Sequence, residues 1–446
     1  MSGELIDLFP LCKGLIHFVL DIVRQIFYGI GGGLQGLLPP AGDSLRGVGD
    51  FFVSDWLVVL LAWLIAINVM ILWGTALNLL TMMWIERKFY SRLQDRVGIK
   101  VGLTSMDFLA RIPVLGGLFR NFVKKPSHLG TGFLQNVADG VKLVQKENLT
   151  PAKADSFTFH AAPVMIASST LLIFAALPFS DGFVVMNTPR ADGSPSSPFG
   201  ILFILAAFGI APVAILIAGW SSNNKYTLLG GMRSAAMLMS YEIPMILCLI
   251  AVVVLTGSLD PFEIVRQQTV SLSQTMPVLG FLPGTANAPF YIPSWNIIPQ
   301  FLAFVIFCIA VLAEQERIPF DLPEAEAELV EGWLTEYSGM RFGLVFGFKW
   351  LRALACSALL AILFLGGWTG PHITLSISGF ALPLPFAELW FLAKIYLVFM
   401  VYVWISWSFP RIRIDQILNI GWKVLIPPSL LAIFLSIVLR ATWVYQ

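Results

Sequence analysis

The residues in this sequence with the clearest chemical potential are carboxylates. Eight of the chain's 27 acidic residues fall between Ala313 and Glu336, in AEQERIPFDLPEAEAELVEGW and the three residues after it, with Arg317 the single basic residue among them. Glu324, Glu328 and Glu331 follow i, i+4, i+7 spacing, which puts them on one helix face and turns Glu326 elsewhere. Pro319 and Pro323 interrupt regular helix just before them. Ile318, Phe320, Leu322, Leu329, Val330, Trp333 and Leu334 make the stretch too apolar for a solvated loop. The expectation is a segment folded back into the protein, holding its acids in a partly dry place. Two carboxylates about 8 Å apart at an effective dielectric of about 20 interact by about 2 kcal/mol. Such groups titrate as a coupled set, so a charge added at one end recruits or expels a proton along the line.

Three further stretches carry charge into apolar surroundings. Glu242 lies within AGWSSNNKYTLLGGMRSAAMLMSYEIPMIL, 218–247, inside a run of membrane-grade residues. A carboxylate at the bilayer centre costs roughly 2.5–3.5 kcal/mol or more, so it is expected to face a cavity or a partner. WIERKFYSRLQDRVG, 84–98, places Glu86 beside Arg87, Lys88 and Arg92. The basic residues suit interface anchors, whereas the acid suits a polar entrance. In FLQNVADGVKLVQKENLTPAKADSF, 133–157, Asp139 and Lys142 are three apart and share a helix face, with Val137, Val141 and Val144 on the apolar one. That pattern fits either a surface helix with a weak ion pair or an interfacial helix lining a cavity. Lys394 is a third charge inside an apolar run, and Lys349 and Arg352 read as anchors or counter-charges.

The elements that must position these groups are membrane helices. The chain is 57% hydrophobic and 12% charged, half the charge of a typical soluble protein. A spanning helix needs about 20 apolar residues. Eight candidates follow: 55–83, 157–179, 199–220, 235–256, 297–313, 342–367, 386–409 and 423–444. The expected fold is an all-α polytopic membrane protein with long cytoplasmic loops. The loops 84–156, 221–234, 314–352 and 410–423 hold 21 of the 28 Lys and Arg, which places them in the cytoplasm. Residues 1–50 read as an extension. In it Lys13, His17, Asp21 and Arg24 form one polar stripe on an apolar segment, an amphipathic interfacial helix, and a Gly- and Pro-rich linker follows.

Net charge is +1, which implies no nucleic-acid partner. The four Cys and four His are dispersed, so no disulfide framework, haem, metal or iron–sulfur site is expected on this chain. Nucleotide-binding and metalloprotease signatures are absent.

The motifs WIERK..SR.QDR.G, LQNVADGVKL, AGWSSNNKY.LLGG.R, SYEIP, AE.ER.PFDLPEAEAELVEGW.TEYSGM and FPRIRIDQILNIGWK, spread over roughly residues 55–446, resemble the H subunits of NADH–quinone oxidoreductase, subunit 1 of mitochondrial respiratory complex I. The resemblance implies an eight-helix subunit at the joint between a hydrophilic arm and a membrane arm, in a bacterial inner membrane. It implies ubiquinone or menaquinone as substrate. The implied partners are the iron–sulfur and quinone-site subunits of the hydrophilic arm and small membrane-arm subunits. Glu86, Arg87, Arg96, Asp139 and Lys142 correspond to quinone-chamber and entrance positions. Glu242, Glu314, Arg317, Asp321, Glu324, Glu326 and Glu328 correspond to the acidic connection that couples quinone reduction to proton translocation.

The sequence departs from the family at several points. Glu316 adds an acid where ETN or ETR is usual, and Lys349 stands where a Glu is common. Ile99 replaces a Pro and Ser406 an Arg. Residues 102–129 form an insertion. A homologous subunit of a ferredoxin- or hydrogenase-linked complex, and a stand-alone proton-coupled transporter, are the alternative readings. The transporter reading lacks the internal repeat it requires.

Overall fold

The computed structural model describes residues 78–96, 98, 135–179, 188–189, 195–196, 199–268, 295–321, 330–369, 376–377, 380–381 and 386–444. The chain divides into two compact units, Met1–Asn78 and Leu79–Gln446, and nearly all described residues belong to the second. The expected first span, the N-terminal amphipathic helix, the 102–129 insertion and Glu324, Glu326 and Glu328 lie outside the described residues, apart from the end of that span.

The described residues are dominated by helices: α1 (Asn78–Leu93), α2 (Gln135–Gln145), α3 (Ser156–Ala176), α4 (Gly200–Ser221), α5 (Lys225–Thr256), α6 (Pro261–Gln267), α7 (Phe301–Glu314), α8 (Gly339–Phe364), α9 (Phe386–Ser408), α10 (Ile414–Asn419) and α11 (Ile426–Val444). A π-helical turn, Ile420–Leu425, joins α10 to α11. Two antiparallel pairs, Thr188–Pro189 with Pro195–Ser196 and Ser376–Ile377 with Phe380–Ala381, are the strands among the described residues.

Six helices among the described residues are long and apolar enough to cross a membrane: Ser156–Ala176, Gly200–Ser221, Lys225–Thr256, Gly339–Phe364, Leu389–Ser408 and Ile414–Ala441. The chain is an integral membrane protein. α5 begins ten residues before the expected span. The last span begins at Ile414 rather than 423, because the π turn continues the helix instead of ending it. α7 is shorter than expected. Its 14 residues rise roughly 21 Å, less than the roughly 30 Å hydrocarbon layer. Pro163, Pro212 and Pro244 sit inside α3, α4 and α5, which packed membrane helices tolerate.

α5 is the centre of the bundle and packs against α4, α7 and α11, while α8 packs against α3 and α9. The core is aliphatic and aromatic, with Phe159, Phe208, Tyr241, Phe307, Phe364 and Phe399 fully enclosed. Gly230 and Gly231 let α5 lie against two neighbours at once. A Cβ on Gly231 would meet the Gly219 Cα of α4 at 3.3 Å, and one on Gly230 would meet the Trp333 backbone nitrogen at 2.7 Å. The short 3₁₀ turn Gly332–Leu334 is thereby pressed onto the helix bundle, with Trp333 buried.

At the far end of α8, Lys394 finds backbone partners. Its ammonium donates to the carbonyls of Leu365, Gly367 and Thr369 at 2.6, 2.9 and 2.6 Å and lies 4.8 Å from the Trp295 ring centre. All three ammonium protons find acceptors. Lys394 thereby ties together the carbonyls of the turn that follows α8.

Candidate functional site

The loop that leaves α7 is where the charged motifs meet. α7 ends in Glu314, and Glu316 adopts φ 49°. That left-handed turn costs a non-glycine residue about 1–2 kcal/mol. It reverses the chain so that Gln315, Glu316 and Arg317 stay inside the protein: Gln315 and Glu316 are 3% and 6% exposed.

Four described acids of the site each find a cation. Arg317 Nη1 donates to Glu86 Oε2 at 2.7 Å, joining the loop to α1. The same guanidinium lies 4.5 Å from the Trp350 ring centre and 5.2 Å from that of Phe399, which favours the cation further. Arg352 of α8 donates to Glu314 Oε1 in a fully buried pair. Lys349, one turn earlier on α8, pairs with Glu316 Oε2 at 2.9 Å. Arg411 donates to Asp321 Oδ2 at 3.1 Å. The FPRIRIDQ segment is held there by Ile412 N–H, which bonds the Pro319 carbonyl at 3.3 Å.

Lys349 and Arg352 are three residues apart and therefore share a face of α8. That face is set against Glu314 and Glu316, so the two residues serve as counter-charges rather than interface anchors. Glu242 is half-buried on α5 and lies within electrostatic range of both Arg352 and Glu314. A Cβ on Gly209 of α4 would come within 3.4 Å of its Oε1. The carboxylate thus lies against the α4 backbone at Gly209.

The predicted chamber residues are brought together in part. Glu86 and Arg87 are neighbours on α1 with different partners. Arg87 Nη1 donates to Asp139 Oδ2 at 2.7 Å, and Gln135 Nε2 to Asp139 Oδ1 at 3.0 Å. Asp139 thus pairs with Arg87, not with Lys142, which is exposed. A tertiary contact between α1 and α2 outcompetes the pair within α2. The expected apolar face of α2 is also only partly covered, with Val141 and Val144 40% and 64% exposed. Arg96 is exposed and lies over the Tyr90 ring at 4.7 Å, away from the paired carboxylates.

Beyond the end of the first span, burial pushes the Glu86 carboxyl above the usual carboxylate range; the Arg317 charge and hydrogen bond, and less strongly Arg87, pull it back down. Burial outweighs the opposing pull of Arg317 and Arg87.

The remaining motifs surround this cluster. Asn224 of SSNNKY donates to Glu336 at 2.7 Å, and Asn148 Oδ1 accepts the Met340 N–H at 3.0 Å. Tyr241 of SYEIP packs edge-on to Phe320, and its hydroxyl bonds the Ile417 carbonyl at 3.0 Å. Motifs up to 231 residues apart thus converge on one end of the bundle. Gln315 and Trp333 also line this region, and residue charge alone does not point to them. In the sequence Gln315 stands between two acids, and Trp333 is one of the apolar residues that mark the stretch as folded into the protein.

Comparison with known proteins agrees with this constellation. The family model for NADH dehydrogenase matches residues 65–437. The H subunit of NADH-quinone oxidoreductase from Dehalococcoides mccartyi strain CBDB1 is 38% identical over 379 residues, covering 85% of this chain and 86% of that protein. Its counterpart from strain ATCC BAA-2266 / KCTC 15142 / 195 is 37% identical over the same shares. This chain belongs to the NADH dehydrogenase family, with the H subunits of NADH-quinone oxidoreductase among its members.

Proposed function

We propose that this chain is the membrane subunit of a proton-translocating NADH–quinone oxidoreductase that forms part of the quinone chamber and couples quinone reduction to proton movement. One observation carries the reading: an integral membrane chain holds Glu86, Glu314 and Glu316 inside the protein, each paired with a cation from a different segment. An inert anchor has no use for such pairs, because buried ions are costly to keep. Membership of the family supports the same conclusion.

In this reading Glu86, Arg87, Arg96, Asp139 and Lys142 border the quinone chamber and its entrance. Reduction of the quinone headgroup creates transient negative charge there. Arg317 is bonded to Glu86 and stands one residue from Glu316, so charge at the entrance is felt at the acidic connection. Glu314, Glu242, Asp321 and the segment of Glu324, Glu326 and Glu328 respond by coupled protonation. Neighbour couplings of about 2 kcal/mol are comparable with the roughly 2.3 kcal/mol needed to move one charge against 100 mV. The full fold has eight spans and an interfacial N-terminal helix, with the charged loops in the cytoplasm of a bacterium. The chain works with iron–sulfur and quinone-site subunits, which carry the redox centres.

The test is purification of the complex by a tag on this chain, with NADH-to-quinone electron transfer and proton pumping recorded together. Wild type should bring down iron–sulfur subunits and show both activities. The double variant Arg352→Met/Glu314→Gln, which removes both charges of the inner pair, should assemble and lose both activities. Isolation of the chain without redox subunits would overturn the reading.

A further inference from the structure

The two ion pairs at the end of α7 enclose a small cavity. Glu314, Gln315, Glu316, Trp333, Lys349 and Arg352 line it, backed by apolar side chains of α3, α4 and α8. It has room for about one water molecule. Its walls carry an unusual surplus of buried polar atoms. Glu314 Oε2, Glu316 Oε1, both amide atoms of Gln315, Trp333 Nε1 and Arg352 Nε find no hydrogen-bond partner among the described residues. A buried donor or acceptor left unsatisfied costs about as much as a lost hydrogen bond, and most such groups in proteins are paired. Gln315 and Trp333 are 3% and 1% exposed, so bulk solvent does not satisfy them.

We infer that this cavity is a hydration site, and that the water it takes bridges the Glu314–Arg352 and Glu316–Lys349 pairs, with Gln315 and Trp333 as its positioning residues. A water molecule can satisfy up to four of these six atoms. Its oxygen can accept from two of the donors Trp333 Nε1, Arg352 Nε and the Gln315 amide nitrogen. Its two hydrogens can bond two of the acceptors Glu314 Oε2, Glu316 Oε1 and the Gln315 amide oxygen. Each ion pair leaves one carboxylate oxygen unbonded, Oε2 of Glu314 and Oε1 of Glu316, while the other oxygen is held by the cation. The cations thus fix the carboxylates, and the unbonded oxygens serve exchange.

The exchange balances without any further reactant. A proton on one carboxyl passes to the water as one of the water's own O–H bonds breaks toward the other carboxylate. One O–H bond forms and one breaks at the water, the first carboxyl becomes a carboxylate, and the second becomes neutral. Glu242, in electrostatic range of Glu314 and Arg352, is the next acid along. The inference rests on the functional reading above and adds the water, Gln315 and Trp333 to it.

The test begins with a high-resolution density map of the native complex. Ordered water density bonded to Gln315 and Trp333 is expected, and a dry cavity overturns the inference. Because the map uses native protein, it decides the site even if the complex proves to have a different electron donor. The second arm measures protons moved per quinone reduced in Gln315→Leu and, separately, Trp333→Phe, which deletes a single N–H. Each should slow proton transfer roughly fivefold, the worth of one net hydrogen bond, and so lower the ratio. Restoring a polar amide with Gln315→Asn should recover part of it. A wild-type ratio in both variants would show that these residues only pack, whereas loss of NADH–quinone activity in the wild type would count against the functional reading and leave the map to judge the water.

Discussion

The outer and inner ion pairs of this molecule use the same chemistry at different depths. At the outer site, the Arg87 and Asp139 side chains are 31% and 35% exposed, and water screens the pair. At the inner site Arg352 and Glu314 are 7% and 2% exposed. Asp139 has both carboxylate oxygens bonded, whereas Glu314 and Arg352, which line the cavity, each keep a buried atom without a hydrogen-bond partner. Arg317–Glu86 stands between them, partly buried and flanked by two aromatic rings. Depth separates roles: the outer pair can open and close at little cost, while the inner one must stay charge-compensated or destabilise the bundle.

The sharpest way to break this contrast is Arg352→Met. It strands Glu314 as an uncompensated buried acid and should cost about 3–5 kcal/mol, read as a large fall in the thermal stability of the purified complex. The double variant Arg352→Met/Glu314→Gln should recover most of that loss. A small cost for the single variant would mean that the inner pair is solvated like the outer one. Arg317→Met should come next. It removes a charged hydrogen bond and a cation–π contact, together about 2–3 kcal/mol, and should lower quinone reductase activity in the assembled complex.

Glu86 gives a pH test of the intermediate site. Burial holds its carboxyl above the ordinary range, so on acidification Glu86 takes up its proton at a higher pH than an exposed glutamate would, and Arg317 loses its ionic partner. Quinone reductase activity should therefore have an acid limb at a raised pH. Glu86→Gln should flatten that limb, since the variant has no group to protonate there. The smallest effect belongs to Arg87→Gln. The half-exposed pair is worth about 0.2–1 kcal/mol and should vanish in high salt. A salt-insensitive loss as large as that of Arg352→Met would show that α2 is covered in the working complex.

Much of the site was legible in residue types. The crowding of acids after an apolar run marked the α7 exit, and Glu242 stood out because a carboxylate inside a span needs a reason. Lys349 and Arg352 were readable as counter-charges, but their partners were not. Glu316 and Lys349 both depart from the family pattern, and only the fold shows that they form one ion pair. Spacing led to Asp139 with Lys142, because a helix brings i and i+3 together; α1 supplies a better partner. Lys394 read only as a charge inside an apolar run, and the carbonyls of the turn after α8 supply its partners.

Alone, the sequence determined the class of solvent, the helical character of the spans, and which charges are too costly to be incidental. These follow from composition and local period, which need no knowledge of neighbours. Tertiary structure decided which charges meet. Arg317 finds Glu86 across 231 residues and Arg352 finds Glu314 across 38. Those distances are closed by helix packing, the close approaches of Gly231 to Gly219 and of Gly230 to the Trp333 backbone, and a left-handed turn at Glu316. Pairing energy depends on burial and geometry, and both arise only when the bundle closes.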